Sequence, residues 1–322
     1  MSVSAIVSNL NGGKYLHRLL ATLRAQRHVE LQIIVVDRHS TDDSAAILNA
    51  EPGVTVLHHA PETGLAAGYH AGAQAATGEH LFFCNEDMWF DEDCLWQLER
   101  QINLSARVAV ADPWQWTYDG TAWLHGGVRF ERCPFTMLSP YPFRRMNFTE
   151  DLPAGTEIPF ACAGAMLIHR DVYQQIGGWD ASFFLDLEDV DLSIRLWQRG
   201  WKTVTVPDAK VFHAVNASNL HTLVAAQETV SRRRYISGRA SASIVGLKYF
   251  TGLALLAVPG LFALEVVKNL VRLKFSLLMW DAEIGVQIVT RASAAWRYRR
   301  AHAAQNHKMP GQTWFTNEQF NV

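Results

Sequence analysis

The chain has 322 residues, a net charge of −2, 49% hydrophobic and 19% charged residues. That length accommodates one large domain with an appendage or two modest domains, and the composition is typical of a globular protein with a buried core. The near-neutral charge excludes the broadly basic surface of a nucleic-acid-binding protein. We therefore expect no nucleic-acid partner.

The four cysteines, Cys84, Cys94, Cys133 and Cys162, form no CxxC pair and no Cys/His cluster with zinc-finger spacing. This pattern favours reduced, mostly buried thiols of a cytosolic protein over disulfides. The N-terminal MSVSAIVSNLNGG lacks the basic start and cleavage site of a signal peptide, so we interpret it as a buried strand.

Strand-like and helix-like segments alternate in the first hundred residues. The predicted elements are a strand at Val3–Ser8, a helix at Tyr15–Ala25, a strand at Leu31–Val36, a helix at Ser40–Leu48 with Ser40 as N-cap, a strand at Val54–Leu57, a helix at Leu65–Ala76 and a strand at His80–Cys84. This order predicts an α/β domain with a Rossmann-like, mostly parallel sheet and helices on both faces. Such sheets bind ligands at the carboxyl ends of their strands, where Asp37 and Asn85–Asp87 lie.

The segment from Ala106 to Asp180 is rich in aromatic residues, proline and glycine. It predicts short strands and long loops, the usual place of substrate loops. A strand at Phe160–His169, a helix at Asp189–Gln198 and a strand at Lys202–Val206 follow the same periodicity rules.

The character changes again after about residue 225. A basic run, Ser231–Tyr235, precedes the uncharged run Tyr249–Leu264, which Pro259 and Gly260 interrupt. The uncharged run is shorter than the ~20 residues of a membrane-spanning helix. Basic residues then recur at Lys268, Arg272, Lys274, Arg291, Arg297, Arg299 and Arg300, before a polar tail from about Ala301. Two interpretations stay open, a helix pair packed on the main domain or helices lying on an anionic membrane surface.

One segment, FFLDLEDVDLSIRL from Phe183 to Leu196, concentrates four acidic residues. These are Asp186, Glu188, Asp189 and Asp191. Carboxylates that crowd together raise one another's pKa, although helix N-termini favour acidic residues. On the residues alone, four acids at the start of a helix are sufficiently explained by that preference, and Asp186 belongs to the preceding loop.

Four segments occur in a characteristic order. They are IIVVDRHSTDDS, ETGLAAGYHAGAQAATGEHLFFCNED, AGAMLIHRDVYQQIGGWDASFFLDLEDVDLSIRLWQRGW and VFHAVNAS. In this order and spacing, over roughly residues 1 to 215, the chain resembles glycosyltransferase family 2, the inverting nucleotide-sugar enzymes of GT-A fold. It is most similar to the bacterial rhamnosyltransferase-like branch that builds cell-surface polysaccharides. The resemblance implies a catalytic domain over 1–225, with a nucleotide-binding half (1–105) and an acceptor half (106–225), and a helical extension over 226–322.

The resemblance also implies a divalent metal, Mg²⁺ or Mn²⁺, beside the diphosphate of the donor. Asn85-Glu86-Asp87 matches the DxD-type triplet of the family, with Asn in the first position. Asp87 is then the expected metal ligand, while Asn85 contacts the ribose or a metal-bound water. His213 matches a histidine that completes the metal site, and Mn²⁺ in particular accepts imidazole beside oxygen ligands.

Other matched residues are expected to bind the donor. Asp37 matches the acid that accepts a ring N–H of the pyrimidine base, and Asn11 matches an Asn in the loop after the first strand. Gly164 lets a sugar or diphosphate approach the backbone. The chain departs from the family at Arg38 and His70, where Asn is common, and we interpret Arg38 as solvated.

The acidic segment receives its roles from the same resemblance. Asp189 is the expected base that deprotonates the acceptor hydroxyl, and Glu188 orients the acceptor or the base. Asp191 is assigned to the acceptor side, where it holds backbone N–H groups or Arg195, four residues on. Trp179 either stacks on a sugar face or locks the GGWD turn as a core aromatic residue.

The implied activity is transfer of a sugar, rhamnose among the candidates, from a nucleoside-diphosphate sugar to a saccharide or lipid-linked saccharide. We expect a cytoplasmic enzyme, peripheral on the inner face of the cell membrane if the C-terminal helices contact lipid. The alternative is a non-catalytic GT-A module that binds saccharide or serves as a scaffold. A different nucleotide enzyme, a dehydrogenase or a nucleotidyltransferase, is disfavoured, because NLNGGKYL is not GxGxxG and no GxxxxGK[ST] occurs.

Overall fold

A computed structural model describes most of the chain, namely residues 2–60, 64–126, 128–130, 146–148, 150–214, 227–249, 254–271 and 275–302. The described residues divide into two compact units. The first takes in those within 1–129, 148–181 and 188–222, and the second those within 130–147, 182–187 and 223–322. All predicted site residues lie in the first unit. Several residues singled out above lie outside the described residues, namely Cys133, Arg272, Lys274, the end of VFHAVNAS and the tail beyond residue 302.

Strands of the described residues form one large sheet and one two-stranded sheet. They are β1 (Ser2–Asn9), β2 (Glu30–Asp37), β3 (Val54–His58), β4 (His80–Asn85), β5 (Met88–Phe90), β6 (Val108–Thr117), β7 (Trp123–His125), β8 (Val128–Phe130), β9 (Met146–Phe148), β10 (Glu157–Ile158), β11 (Ala165–His169) and β12 (Lys202–His213). The order in the large sheet is β10-β12-β6-β11-β4-β1-β2-β3, with β5 beside β12 and β7 beside β6.

Strand direction changes along the large sheet. Strands β1 to β4 pair only in parallel with one another, as the alternating pattern predicts. Strand β11 then runs antiparallel to β4 and β6, while β12 runs parallel to β6 and antiparallel to β5. The α/β class is confirmed, with parallel pairing in the first half and pairing in both directions in the second. The carboxyl ends of β1, β2 and β4 meet at one edge, which brings Asp37 and Asn85 to the same side of the sheet.

Helices cover both faces of the large sheet. In the first unit they are α1 (Gly13–Arg24), α2 (Ser44–Ala50), α3 (Leu65–Gln74), α4 (Cys94–Asn103), α5 (Arg170–Gln175) and α6 (Glu188–Gln198). Alternation along β1 sends Val3, Ala5 and Val7 into a buried cluster with the leucines of α1 and α4. Ile6 points to the other face, where a Cβ on Gly72 of α3 would lie 2.3 Å from its Cγ2. Only glycine therefore permits the close packing of α3 on β1.

Three predicted boundaries are wrong by more than two residues. Strand β12 continues to His213 and does not end at Val206, and each of the other two errors has a local cause. Helix α2 begins at Ser44, not at Ser40, because the Ser40 hydroxyl donates to Oδ1 of Asp37 at 2.5 Å instead of capping a helix. Strand β11 begins at Ala165, not at Phe160. The residues before it form a turn, in which Ala165 N–H donates to the carbonyl of Cys162 at 3.1 Å.

The cysteine prediction agrees with the structure for the described residues. Cys84, Cys94 and Cys162 are free thiols, and the first two are completely buried. Burial raises the pKa of Cys162 to about 12, so this thiol is protonated at neutral pH.

The second unit contains three helices within its described residues, α7 (Gln227–Tyr249), α8 (Ala254–Val271) and α9 (Phe275–Ala301). Lys248 of α7 is 1% exposed, and its Nζ lies 4.2 Å from the ring centroid of Tyr298 on α9. The sequence suggests that Pro259 interrupts the uncharged run. In the structure Pro259 lies inside α8 and does not end the helix. Within the described part of the chain, no helix combines the length and apolar character needed to cross a membrane.

Candidate active site

The loops that follow β1 and β2 are tied together by side chains. The buried carboxylate of Asp37 accepts hydrogen bonds from Asn9 Nδ2 at 2.8 Å and from the hydroxyl and N–H of Ser40. Asn11 has a φ of 57°, and its Oδ1 accepts the N–H of Thr41 at 2.8 Å. These bonds fix the end of β2 in place, with Asp37 at the carboxyl edge of the sheet.

The Asn85-Glu86-Asp87 triplet occupies the end of β4 and the turn before β5. Tyr69 of α3 donates its hydroxyl to Oδ1 of Asn85 at 3.0 Å, which orients this amide. Asn85 also donates its backbone N–H to the carbonyl of Gly164 at 3.0 Å. A Cβ on Gly164 would lie 3.2 Å from Met88 and 3.4 Å from Asn85 Nδ2, so Gly164 packs closely against the triplet.

Glu86, the middle residue of the triplet, is in an environment that disfavours its charge. Burial first, and the charge of Asp87 second, raise the pKa of Glu86 to about 7, while the Arg38 guanidinium acts in the opposite direction. Arg38 is half-buried, and its Nε is buried with no hydrogen-bond partner among the described residues. Arg38 is therefore only partly solvated, contrary to the prediction of a fully solvated side chain, and its charge acts on Glu86 at the edge of the sheet.

Asp87 and His213 are brought together by the pairing of β5 with β12. In that ladder His213 is opposite Met88, the residue after Asp87, and Asp87 Oδ1 lies 3.0 Å from His213 Nε2. The other ring nitrogen, Nδ1, lies 2.9 Å from Oε1 of Gln115 on β6. An amide oxygen only accepts hydrogen bonds, so Nδ1 of His213 is the donor to Gln115, and Nε2 is the ring nitrogen that faces Asp87.

This arrangement fits a divalent cation in its donor chemistry, because one carboxylate oxygen and one imidazole nitrogen converge. Gln115 holds the imidazole from behind, as outer hydrogen-bond partners of metal-binding histidines do. Among the residues that the structure describes, no group of three or more His, Cys, Asp or Glu side chains converges on a point. Asp87 and His213 would thus supply two protein ligands to such a cation.

Asp189 and Glu188 begin α6, as the acidic segment predicts. Oδ1 of Asp189 accepts the helix N–H of Val190 at 2.8 Å, and Oδ2 accepts the N–H of Ala163 at 3.3 Å. Both bonds and the helix N-terminus favour the ionised form of this carboxylate. Glu188 is buried beside it. The resulting arrangement suits a base held in its charged form.

Two residues assigned to the acceptor side are core residues instead. Trp179 is 2% exposed and packs against the rings of Tyr69 and Phe83, so it cannot stack on a sugar face. Asp191 is 0% exposed; its Oδ2 accepts a hydrogen bond from Nε of Arg195 at 2.9 Å and forms an ion pair with Nη2, also at 2.9 Å. The predicted contacts of Trp179 and Asp191 with an acceptor are wrong, whereas the predicted pairing of Asp191 with Arg195 is confirmed.

Sequence reasoning missed three polar residues of this region, Gln115, Asp112 and His125. Gln115 and Asp112 belong to β6, and His125 belongs to β7 beside it. Burial raises the pKa of Asp112 well above its usual range, and burial lowers the pKa of His125 to about 4. The signal available in the sequence was the polar pair in VAVADPWQWT, where a buried strand otherwise requires apolar residues.

Comparisons with known proteins show what the chain is similar to. The Glycosyl transferase family 2 model matches residues 4–177. N-acetylglucosaminyl-diphospho-decaprenol L-rhamnosyltransferase of Mycobacterium tuberculosis is 26% identical over 234 residues, which cover 62% of this chain and 72% of that protein. O-antigen biosynthesis protein RfbC of Myxococcus xanthus is 26% identical over 67% of this chain but only 17% of its own length.

Solved structures show the same fold. GalNAc-T7 with UDP, GalNAc and Mn²⁺ superposes with a TM-score of 0.55 at 18% identity. The match covers 66% of this chain and 44% of the GalNAc-T7 chain. Mannosyltransferase PcManGT from Pyrobaculum calidifontis, in complex with GDP-Man and Mn²⁺, has a TM-score of 0.52 at 15% identity, over 97% of this chain and 82% of that one. At these identities the likeness bears on the fold alone, and it confirms the predicted GT-A fold.

Proposed function

This chain belongs to glycosyltransferase family 2 and is a glycosyltransferase, and from that premise we propose that it is an inverting, metal-dependent enzyme. It transfers a sugar from a nucleoside-diphosphate donor to a saccharide or lipid-linked saccharide of the cell surface. Residues 1–225 form the catalytic domain, with donor binding in 1–105 and acceptor binding in 106–225. Family membership favours this activity over the alternative of a non-catalytic module.

One observation carries the proposal, namely the turn formed by Cys162, Ala163 and Gly164. Its Ala163 N–H donates to Asp189, and its Gly164 carbonyl accepts the N–H of Asn85. The candidate base and the candidate donor triplet are therefore attached to successive residues of one segment. Such an arrangement suits a displacement, in which the hydroxyl deprotonated by the base attacks the same sugar carbon that the leaving group departs from.

Asp189 is the proposed base. As the acceptor hydroxyl oxygen attacks the anomeric carbon, Asp189 takes the hydroxyl proton, and the bond from that carbon to the diphosphate breaks with its electron pair. Attack opposite the leaving group inverts the anomeric carbon. Glu188 orients the acceptor beside Asp189, and the helix N-terminus lowers the cost of a charged base before the reaction.

Asp37, Asn11, Asn85 and Glu86 are the proposed donor contacts. Asp37 is an acceptor-only group when ionised, which suits a base N–H. The names of similar proteins support a nucleotide donor, because GalNAc-T7 was solved with UDP and PcManGT with GDP-Man. The name of the mycobacterial relative, a rhamnosyltransferase acting on a decaprenol diphosphate, supports rhamnose and a lipid-linked acceptor.

Asp87 and His213 would hold Mg²⁺ or Mn²⁺. When bound, the cation neutralises charge that develops on the leaving diphosphate. Gln115 keeps the proton of His213 on Nδ1, so that Nε2 stays available. GalNAc-T7 and PcManGT were both solved with Mn²⁺, which supports a divalent metal in this chain.

The test compares Asp189→Asn with the exposed control Asp208→Asn. A thermal-shift panel of nucleoside-diphosphate sugars with Mn²⁺ first identifies the donor that stabilises the protein. We expect Asp189→Asn to abolish transfer while calorimetry still detects binding of that donor and of Mn²⁺, and we expect the control to behave like the wild type. Normal turnover by Asp189→Asn would exclude Asp189 as the base.

The second unit supports a further proposal, peripheral contact with the anionic inner face of the cell membrane. Large apolar side chains are exposed on α8 and α9, namely Leu264, Val267, Leu270, Val271, Met279, Val286 and Val289. Trp296 is also exposed, beside the exposed Arg297 and Arg300 near the end of α9. Apolar residues flanked by tryptophan and arginine suit a helix that lies in the lipid interface.

Sedimentation with vesicles tests this contact. The protein should sediment with vesicles rich in phosphatidylserine and much less with phosphatidylcholine vesicles. A Val267→Asp/Val289→Asp variant should lose binding, and Arg297→Gln/Arg300→Gln should weaken it mainly for the anionic vesicles. Equal sedimentation of wild type and both variants would refute the contact.

A further inference from the structure

Asp112 is a buried carboxylate that the proposed reaction does not use. It lies on β6, between β12 and β11 in the large sheet, and is 0% exposed. Its Oδ1 accepts the N–H of Cys162 at 2.9 Å, and its Oδ2 is buried without a hydrogen-bond partner within the described part of the chain. A charged carboxylate in such a place would be very costly, so the residue needs an explanation.

The Cys162–Gly164 turn connects Asp112 to the proposed active site. Three successive residues of this turn contact three different groups: Cys162 N–H donates to Asp112, Ala163 N–H donates to Asp189, and the Gly164 carbonyl accepts from Asn85. Asp112 therefore accepts a hydrogen bond from Cys162, and the next residue, Ala163, donates to Asp189. If the turn shifted at Cys162, the Ala163 N–H that donates to Asp189 would move with it.

The groups that face Asp112 leave it uncharged. Burial raises the pKa of Asp112 well above the usual range; the hydrogen bond from Cys162 N–H acts in the opposite direction, and the charge of Asp189 on α6 acts in the same direction as burial. Cys162 in the turn is a protonated thiol, and His125 on β7, with Nε2 3.9 Å from Oδ2, is neutral because burial lowers its pKa to about 4. The facing groups thus supply no positive charge that would ionise Asp112 at neutral pH.

We propose that Asp112 is a positioning residue for the catalytic base: as an uncharged acid it holds the Cys162–Gly164 turn, and through it the N–H of Ala163, against Asp189. The acceptor oxygen of Asp112 anchors the turn. Its lack of charge matters as well, because a second carboxylate ion beside Asp189 would raise the pKa of the base. The inference rests on the proposed role of Asp189.

Two substitutions separate the anchoring role from a charge effect. Asp112→Asn keeps an uncharged side chain with an acceptor oxygen, so most of kcat and the acidic limb of its pH profile should be retained. Asp112→Ala removes the anchor, so kcat should fall about tenfold or more while the donor KM changes little. Because Ala163 N–H would then donate more weakly to the ionised Asp189, the acidic limb of the pH profile should also move to higher pH, by about one pH unit.

Melting temperatures and the exposed control Asp208→Asn accompany these measurements. If Asp112→Ala does not fold, Asp112→Asn decides, because a downward shift of its acidic limb would show that Asp112 is charged and would overturn the proposal. Equal loss of kcat in Asp112→Asn and Asp112→Ala would overturn it too, as would a fall in kcat of Asp112→Ala without a pH shift. An active Asp189→Asn would overturn the base assignment and this inference together, whereas the other results leave Asp189 as the base.

Discussion

The ion pair of Asp191 and Arg195 provides the sharpest stability prediction. Nη1 of Arg195 also donates to the carbonyls of Ile176 and Gly178, at 2.9 and 2.6 Å, so the guanidinium binds the GGWD turn to α6. Arg195 is 4% exposed. Asp191→Ala removes a carboxylate that balances this buried charge, and we expect a loss of stability rather than a change at the acceptor.

The expected magnitude follows from the burial of both partners. Removing one member of a buried ion pair costs about 3–5 kcal/mol, because the remaining charge stays desolvated. Truncating both side chains, in Asp191→Ala/Arg195→Met, leaves no uncompensated charge and should cost less than Asp191→Ala alone. If the single variant is the less stable one, the broken ion pair explains the loss. If lost packing explained it, the double variant would be the less stable one.

Equilibrium unfolding in urea, followed by tryptophan fluorescence, measures these differences. The matched control is Asp208→Ala, an exposed position of β12, for which a change within about 0.5 kcal/mol is expected. The reasoning fails if Asp191→Ala loses less than about 1 kcal/mol while the KM for the acceptor rises. That result would restore the acceptor contact that the resemblance implied for Asp191.

Three other predictions test the fold and the site. Burial lowers the pKa of His80 to about 4, so its contribution to stability is complete above its ordinary pKa of about 6.5 and is lost as the pH falls towards 4. Between about pH 7.5 and pH 5 the free energy of unfolding of the wild type should fall by about 2 kcal/mol more than that of His80→Gln. Urea unfolding at each pH measures this difference. Gly178→Ala should lower the melting temperature more than Gly177→Ala, because both have positive φ but only at Gly178 would a Cβ come within 2.7 Å of the Tyr173 ring; equal effects would contradict this packing. Gln115→Leu should reduce Mn²⁺ affinity about ten- to hundredfold in calorimetry, and unchanged affinity would argue against the proposed metal site.

Most of the first half of the fold follows from local patterns. Continuous apolar strands such as Ile33–Val36 are typical of a parallel sheet, and the leucines of α1 recur at helical spacing. Both properties depend on residues a few positions apart, which one sequence displays. The start of α2 was misplaced because the Ser40 hydroxyl bonds to Asp37 across a loop, and a competing bond of this kind leaves no mark on helical periodicity.

The direction of strands after β4 could not be read from the chain. Strand β11 is apolar like the parallel strands β1, β2 and β4, yet it runs antiparallel to β4. A buried strand requires apolar residues on both faces in either direction, so composition does not distinguish the two. The pairing of β5 with β12 depends on this later half of the sheet, and it is what places His213 beside Asp87.

The candidate site divides in the same way. Residues that act as neighbours in the chain, Asn85 with Asp87 and Glu188 with Asp189, were found from their spacing and the family they resemble. Burial, in contrast, is a property of the folded chain, which is why Trp179 and Asp191 were misassigned. The role proposed for Asp112 depends on a hydrogen bond that it accepts from the backbone of a turn distant in the sequence. Backbone N–H groups are the same in every sequence except at proline, so only folding reveals which carboxylate such a group meets.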